Sequence, residues 1–200
     1  MIIGYLNNLG NKELSRAAAI YRQKSTDQNL ETKALSYSDI IDQLQDGKID
    51  LALVNDRQDN LNTLNTYQIA DASVIAIIQK GTFDKHAQIV ELADLRANSC
   101  IITCSIQEEK AEYYYYRDVL KIPNQLIADD SLNETILMTQ AGSGFFLMNE
   151  YTAPLIKNDD LQKLFLFNQG KQLKEKYLLL SKARNSNTDS FAQILKQQFK

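Results

Sequence analysis

The stretch from residue 49 to residue 54 reads IDLALV, apolar at all positions but one, and it follows the turn-forming sequence DGK. A strand that is apolar on both faces must be covered on both faces, which is typical of parallel sheets. Upstream, Ser38 is expected to cap a helix through DIIDQLQD. Gly47 suits the left-handed residue that follows a helix. Together with the preceding strand-like stretch NLETKAL, this pattern predicts a β-α-β unit.

The same alternation continues along the chain. Helices are predicted where apolar residues recur three or four positions apart, as in residues 12–24, with Asn11 as N-cap, and in SLNETILMTQAG, where Ser131 and Glu134 suggest a capping box. Further helices are predicted in VELADLRA, EEKAEYYYYRDVLK and DSFAQILKQQF. Strands are predicted in MIIGYL, SVIAIIQK, SCIITCS, NQLIADD, GFFLMN, LFLF and KEKYLLLSK. The alternation predicts an α/β architecture with sheets covered on both faces.

Composition narrows the function. The chain is 44% apolar and 24% charged, which is ordinary for a globular protein. Its net charge of −3 and pI near 5.3, without a basic run, argue against direct nucleic-acid binding by these residues. No apolar stretch approaches the length of a membrane span, and the first residues lack a signal-peptide pattern. We therefore expect no membrane partner.

The sequence offers few groups for catalysis or metal binding. Cys100 and Cys104 lie on one predicted strand, roughly 13 Å apart, which is too far for a disulfide. Their spacing and the single histidine, His86, argue against a zinc site and against a Ser-His-Asp triad. Two reduced cysteines fit a cytosolic compartment. We expect no cofactor, no metal and no catalytic residue, although an enzyme without a recognisable motif stays open as an alternative.

Polar residues collect where predicted strands run into helices, which is where open α/β sheets bind ligands. Helix N-termini there offer free N–H groups that suit a small anion. The same residues are also common in turns and caps, so the pattern alone leaves both interpretations open. The residues are Asn7, Asn8, Asn11, Tyr37, Ser38, Asn55, Asp56, Ser105, Gln107, Asp129, Asp130 and Ser131.

Three stretches in register resemble one family. LSYSDIIDQLQDGKIDLALVN resembles the helix and G-x-x-D-hydrophobic segment of LysR-type transcriptional regulators. VELADLRANSCIITCS resembles their L-x-D-L helix and strand, and ILMTQAGSGFFLMN resembles their later A-G-x-G-hydrophobic segment. Order and spacing match over essentially the whole chain.

The resemblance implies a two-lobed, type II periplasmic-binding-protein-like fold, with mixed sheets, flanking helices and two crossover strands. Lobe one would comprise residues 1–71 and 151–200, and lobe two residues 72–150. The family's N-terminal winged helix-turn-helix has no counterpart in this sequence, so DNA binding is expected only through that absent domain, and the chain is expected to be an excised regulatory domain.

The resemblance also implies a function. A small-molecule effector would bind between the lobes, with contacts expected from Asn8, Asn11, Ser38, Ser105 and Ser131. Asp130, if it faces the cleft, would favour a ligand that carries a donor or a positive charge. The domain would be a cytoplasmic homodimer, with helix 12–24 and strand 29–35 pairing with lobe two of the partner. The alternative is the solute-binding protein of a transporter, which shares the two-lobed fold.

Overall fold

The computed structural model describes residues 1–6, 9–24, 29–57 and 63–199. The chain forms two compact units, the first made of Met1–Asp71 and Lys176–Lys200 and the second of Ala72–Glu175. The two strands β4 (Asn65–Gln79) and β11 (Lys174–Ser181) each contribute residues to both units. Two crossover strands were expected from the sequence.

Unit one is built on a sheet in the order β2 (Glu31–Leu35), β1 (Ile2–Leu6), β3 (Leu51–Asn55) and β11. The β1 strand pairs in parallel with β2 and β3, whereas β11 is antiparallel to β3. Three helices belong to this unit, α1 (Asn11–Lys24), α2 (Tyr37–Gln45) and α5 (Ser186–Lys196).

The β-α-β prediction is confirmed in unit one. All five residues of β3 are buried, as expected for a strand covered on both faces. Gly47 follows α2 with a φ of 74°, a conformation that glycine adopts without the steric cost of a side chain. On the sheet, α1 packs against α5, where the rings of Tyr21 and Phe191 meet edge to face at 5.6 Å. These contacts bury the apolar stripe predicted for residues 12–24.

Unit two has a larger mixed sheet. Its main path runs from β4 to β8 (Gly144–Asn149), β6 (Ser99–Thr103) and β7 (Leu126–Asp129). The β6 strand is parallel to both β7 and β8, and β4 is antiparallel to β8. On the other side of β4 lies β9 (Leu161–Asn168), which also pairs with β5 (Ile89–Glu91) and β10 (Lys171–Gln172).

Two helices cover the sheet of unit two, α3 (Glu109–Tyr114) and α4 (Leu132–Gln140). The α3 helix continues into a π-helical segment, Tyr115–Val119. The predicted helix VELADLRA is wrong, because its residues form β5 and a 3-10 turn, Leu92–Leu95. Val90, Leu92 and Leu95 all reach the core of unit two, but Val90 does so from β5, whose parallel pairing with β9 draws the start of the predicted helix into the sheet.

The chain returns to unit one later than the sequence suggested. Residues 151–175 were expected in lobe one, but they lie in unit two. The physical reason is the pairing of β9 with β4, which places Phe165 opposite Ile75 and Leu161 opposite Gln79. No helix among the described residues is long and apolar enough to cross a membrane.

Candidate functional site

The polar residues of unit two lie at the carboxyl ends of two neighbouring parallel strands. Thr103, at the end of β6, is in register with Asp129, at the end of β7. The loops that follow these strands lead into α3 and α4, and they carry Ser105 and Ser131. The structure therefore brings Ser105, Asp130 and Ser131 to the same edge of one sheet, as the sequence predicted for ligand-binding residues.

In the loop that follows β6, Ser105 is hydrogen-bonded to the carboxylate of Glu108, three residues later in the same loop. The Ser105 hydroxyl donates to Glu108 Oε2 at 2.6 Å, and the Ser105 N–H donates to the same oxygen at 3.2 Å. Glu108 N–H in turn donates to the Ser105 carbonyl at 3.0 Å. The Glu108 carboxylate thus already occupies the position of the negatively charged acceptor to which the Ser105 N–H would donate in a bound anion.

In the neighbouring loop a carboxylate again accepts from the serine N–H, whereas the serine hydroxyl is an acceptor instead of a donor. The Ser131 N–H donates to Asp129 Oδ1 at 2.8 Å, and the Ser131 hydroxyl accepts from the Glu134 N–H at 3.4 Å. Ser131 is therefore the N-cap of α4, as predicted. The predicted capping box is only half formed, because the Ser131 N–H donates to Asp129 Oδ1 instead of to the Glu134 side chain. Asp130 is exposed beside it.

A pair of threonine hydroxyls fixes α4 to the end of β6. Thr103 Oγ1 and Thr135 Oγ1 lie 2.9 Å apart, and the Thr135 side chain is fully buried. Thr139 donates to the Thr135 carbonyl one turn later, at 2.8 Å. The bond between the two threonine hydroxyls holds the start of α4, which follows Ser131, against the sheet, whereas the Thr139 bond lies within the helix.

The edge of the unit-two sheet at the carboxyl ends of β6 and β7 is rich in acidic side chains. The pKa of the Cys104 thiol is raised to about 11, first by burial and then by the carboxylates of Glu112, Glu108 and Glu109. Asp129 and Asp130 add two further acidic groups at the end of β7. An anionic ligand would meet repulsion here, whereas a ligand that presents N–H or O–H donors would find acceptors.

Unit one presents a second set of polar residues, again at the carboxyl ends of parallel strands. Asn8 lies outside the described residues. Asn11 is exposed and is the first residue of α1, so it is not the N-cap; the Gly10 carbonyl accepts the first intrahelical bond, from Leu14 N–H at 3.0 Å. Asn11 therefore lies in the first turn of the helix that follows β1.

Ser38 is not the cap of α2. That role belongs to Ser36, whose hydroxyl accepts from the Asp39 N–H at 3.1 Å, because the helix starts two residues earlier than predicted, at Tyr37 instead of Asp39. The Ser38 hydroxyl is exposed and lies 3.2 Å from the Ser36 hydroxyl. Both serines follow β2, the parallel neighbour of β1.

Arg57 is a site candidate that the sequence analysis missed. It follows β3, is only 5% exposed, and donates through Nε to Asn55 Oδ1 at 3.1 Å. Its guanidinium lies 4.3 Å from the centre of the Tyr37 ring, a cation–π contact. A basic residue two positions after a fully buried strand is the sequence signal that could have identified it.

Catalytic and metal-binding chemistry finds no support in the part of the chain that the structure describes. Among those residues no group of three or more His, Cys, Asp or Glu side chains is placed to hold a metal ion. His86 lies in an exposed loop, where its N–H donates to Asp84 Oδ1 at 2.8 Å. The arrangement at both sheet edges is instead one of caps, hydroxyls and carboxylates, which can bind a polar ligand by hydrogen bonds.

Mixed sheets with parallel strands, divided between two units, define the class of a type II periplasmic-binding-protein-like domain. Residues 2–200 match the LysR substrate binding domain family, so this chain belongs to that family. Members of the family adopt the two-lobed fold that the sequence predicted. A search of curated proteins found no match.

Solved structures agree on the fold. The chain is similar to OxyR from Corynebacterium glutamicum, as an H2O2-bound C206S mutant, with a TM-score of 0.78 and 17% identity over 99% of this chain and 64% of that one. A BenM variant's effector binding domain has a TM-score of 0.77 at 15% identity, covering 99% of this chain and 93% of that one. For CbnR, a LysR family transcriptional regulator, the values are 0.69 and 12%, covering 100% and 70%. The chain thus spans about two thirds of the OxyR chain.

Proposed function

We propose that this chain is the ligand-sensing domain of a LysR-type transcriptional regulator, which binds a small metabolite effector between its two lobes and relays the change to DNA-binding domains. The observation that carries the proposal is the position of the polar residues. In each unit they stand at the carboxyl ends of neighbouring parallel strands, where ligands bind in open α/β sheets. The family match favours a regulator over the solute-binding protein of a transporter.

The proposed effector contacts come from both units. Asn11 and Ser38 would contribute from unit one, together with Asn8, and Ser105 and Ser131 from unit two. Exposure supports this assignment for Asn11 and Ser38, whose side chains reach solvent. A ligand that contacts both sets would change the equilibrium between lobe arrangements by its differential affinity for them.

The effector is proposed to present hydrogen-bond donors, such as an amine or hydroxyl, to unit two. Glu108 already occupies the Ser105 N–H and hydroxyl, and Asp129 occupies the Ser131 N–H. An effector carboxylate in the same place would have to displace these groups and would be repelled by them. This extends the expectation for Asp130, which is exposed at the same edge.

A thermal-shift screen tests the proposal. Compounds are grouped into amines, neutral polyols and carboxylates on matched carbon skeletons, and stabilisation follows RT ln(1 + [L]/Kd). We expect hits among amines or polyols, and a Glu108→Gln variant should bind them about 10-fold more weakly, since a hydrogen bond to a charged group is worth about 1.5–3 kcal/mol. Glu134→Gln is the matched control, because Glu134 is exposed on α4.

Two outcomes would count against the proposal. If no compound of any class stabilises the domain, effector binding by this chain is unsupported. If only carboxylates stabilise it and Glu108→Gln changes nothing, the site lies elsewhere or recognises a different chemistry.

The domain is further proposed to be a cytoplasmic homodimer, with DNA bound only through the family's DNA-binding domain and no membrane partner. The β2 strand supports the dimer, because residues Glu31 to Ala34 are exposed at the edge of the unit-one sheet. Edge strands of this kind invite pairing or covering. Leu137, 58% exposed on α4, offers an apolar contact in unit two. Light scattering that finds only monomer at high concentration would contradict this.

A further inference from the structure

The π-helical segment after α3 sets the position of one buried tyrosine. Tyr115 is 4% exposed, and its N-terminal neighbour Tyr114 is 46% exposed. The segment is closed by the Leu120 N–H, which donates to the Tyr115 carbonyl at 2.9 Å, five residues back. Such segments are rare, and they are found frequently at functional sites.

The tyrosine hydroxyl meets a carboxylate at the boundary of unit two. Tyr115 donates to Glu175 Oε2 at 2.8 Å. Glu175 is half-buried on β11, and it is the last residue of unit two before the chain continues into unit one at Lys176. The Tyr115 ring packs in the apolar core of unit two, so its position is fixed by more than this bond.

The other end of the same helix is the Ser105 loop. Ser105 is bonded to Glu108, and the Glu108 carbonyl accepts from the Glu112 N–H at 2.9 Å inside α3. The Ser105 loop is therefore hydrogen-bonded to the start of the helix that leads to Tyr115. Along the helix axis, Tyr115 lies roughly 9 Å beyond Glu109.

We propose that the hydrogen bond between Tyr115 and Glu175 couples the Ser105 loop to the strand that leaves unit two. The inference rests on the proposed function, because the Ser105 loop is the proposed effector contact. In this arrangement Tyr115 and Glu175 are positioning residues that touch no ligand. A change in the Ser105 loop alters the position of α3. Because the Tyr115 hydroxyl is bonded to Glu175, the altered helix position changes how firmly β11 is held at Glu175, where the chain leaves unit two.

A double-mutant cycle on the full chain tests the coupling without any ligand. Ser105→Ala and Tyr115→Phe are made singly and together, and the unfolding equilibrium constants are measured by urea denaturation. Residues separated by more than about 7–10 Å normally give additive effects. We expect the combined change to differ from the product of the single changes by about three-fold or more, whereas the Ser105→Ala and Tyr114→Phe cycle is multiplicative.

Amide hydrogen exchange supplies a second measurement. If Tyr115 only stabilised the fold, Ser105→Ala would not change the exchange rates at Glu175 and Lys176. In Ser105→Ala, exchange at Glu175 and Lys176 should change by about three-fold or more, and the effect should vanish in the Tyr115→Phe background. Glu175→Gln, which keeps an acceptor oxygen, should retain part of the effect if Tyr115→Phe folds too poorly to use. Multiplicative cycles with unchanged exchange at Glu175 would overturn the proposal. Because the cycle needs no ligand, that failure is distinct from an empty effector screen.

Discussion

Replacing Gly144 with alanine tests the packing that explains the A-G-x-G segment. Gly144 begins β8 and lies opposite Ser99 of the parallel strand β6. An alanine Cβ at this position would stand 2.3 Å from the Ser99 backbone oxygen. That is more than an ångström short of ordinary van der Waals contact, which is about 3.5–4.0 Å.

The loss in free energy of unfolding on Gly144→Ala depends on which atoms would have to move to make room for the added Cβ. The Ser99 oxygen belongs to the backbone of β6, which lies between β7 and β8 in the sheet, so it cannot retreat without disturbing pairing. Overpacking of this kind costs about 1–3 kcal/mol, and each weakened hydrogen bond about 0.5–1.5 kcal/mol. We expect Gly144→Ala to lower the free energy of unfolding by about 3 kcal/mol, or the Tm by about 6–12 °C.

Thermal and urea unfolding of the purified domain measure this change. Gly81→Ala is the matched control within unit two, since its φ is 91° but nothing lies within 4 Å of the added Cβ. The control pays only for the left-handed backbone, about 1–2 kcal/mol. If Gly144→Ala costs no more than Gly81→Ala, the close approach of β8 to β6 does not constrain the fold as argued.

Two further predictions concern unit two. Thr135→Val should lower the free energy of unfolding by about 1–2 kcal/mol, because it leaves the Thr103 hydroxyl without its buried partner, and Thr135→Ser should restore most of the loss in urea denaturation. Cys100 and Cys104 should stay unmodified after brief exposure of the folded domain to H2O2, because burial raises the pKa of the Cys100 thiol, and the pKa of Cys104 is raised to about 11. Mass spectrometry that finds rapid sulfenic acid at either thiol would contradict this, since the thiolate is the reactive form.

Much of the fold could be predicted because single residues carried clear local signals. Gly142 ends α4 with a φ of 78°, as expected for the residue after a helix. Gly144, two positions on, is required for a different reason, the close approach to β6. The apolar run 51–54 was correctly read as a fully buried strand, since burial on both faces leaves a direct mark on the sequence.

Long-range pairing left no such mark. The antiparallel partner of β3 is β11, but an apolar strand reads the same whichever direction its neighbour runs. The return to unit one at residue 176 instead of 151 depends on β9 pairing with β4, which periodicity along one strand does not encode. The polar start of β4 at Asn65 was missed for a related reason, because a strand recognised by its continuous apolar run begins only near Val74.

The strand–helix junctions that carry the candidate residues could be predicted from the sequence, whereas the hydrogen bonds of those residues could be predicted only in part. Ser105 and Ser131 follow neighbouring strands, so strand-helix junctions sufficed to place them. Which serine caps α2 depended on a two-residue shift of the helix start, from Ser38 to Ser36 as the cap. The bond from Ser105 to Glu108 depends on side-chain rotamers, which spacing alone does not determine.

The most direct test of effector binding at the strand-end loops is a map of amide chemical shifts on adding the compound that most raises the Tm in the screen. We expect saturable shifts concentrated at Asn11, Ser38, Ser105 and Ser131. Saturable shifts confined to other surfaces, such as the exposed β2 edge, with these four amides unchanged, would contradict it.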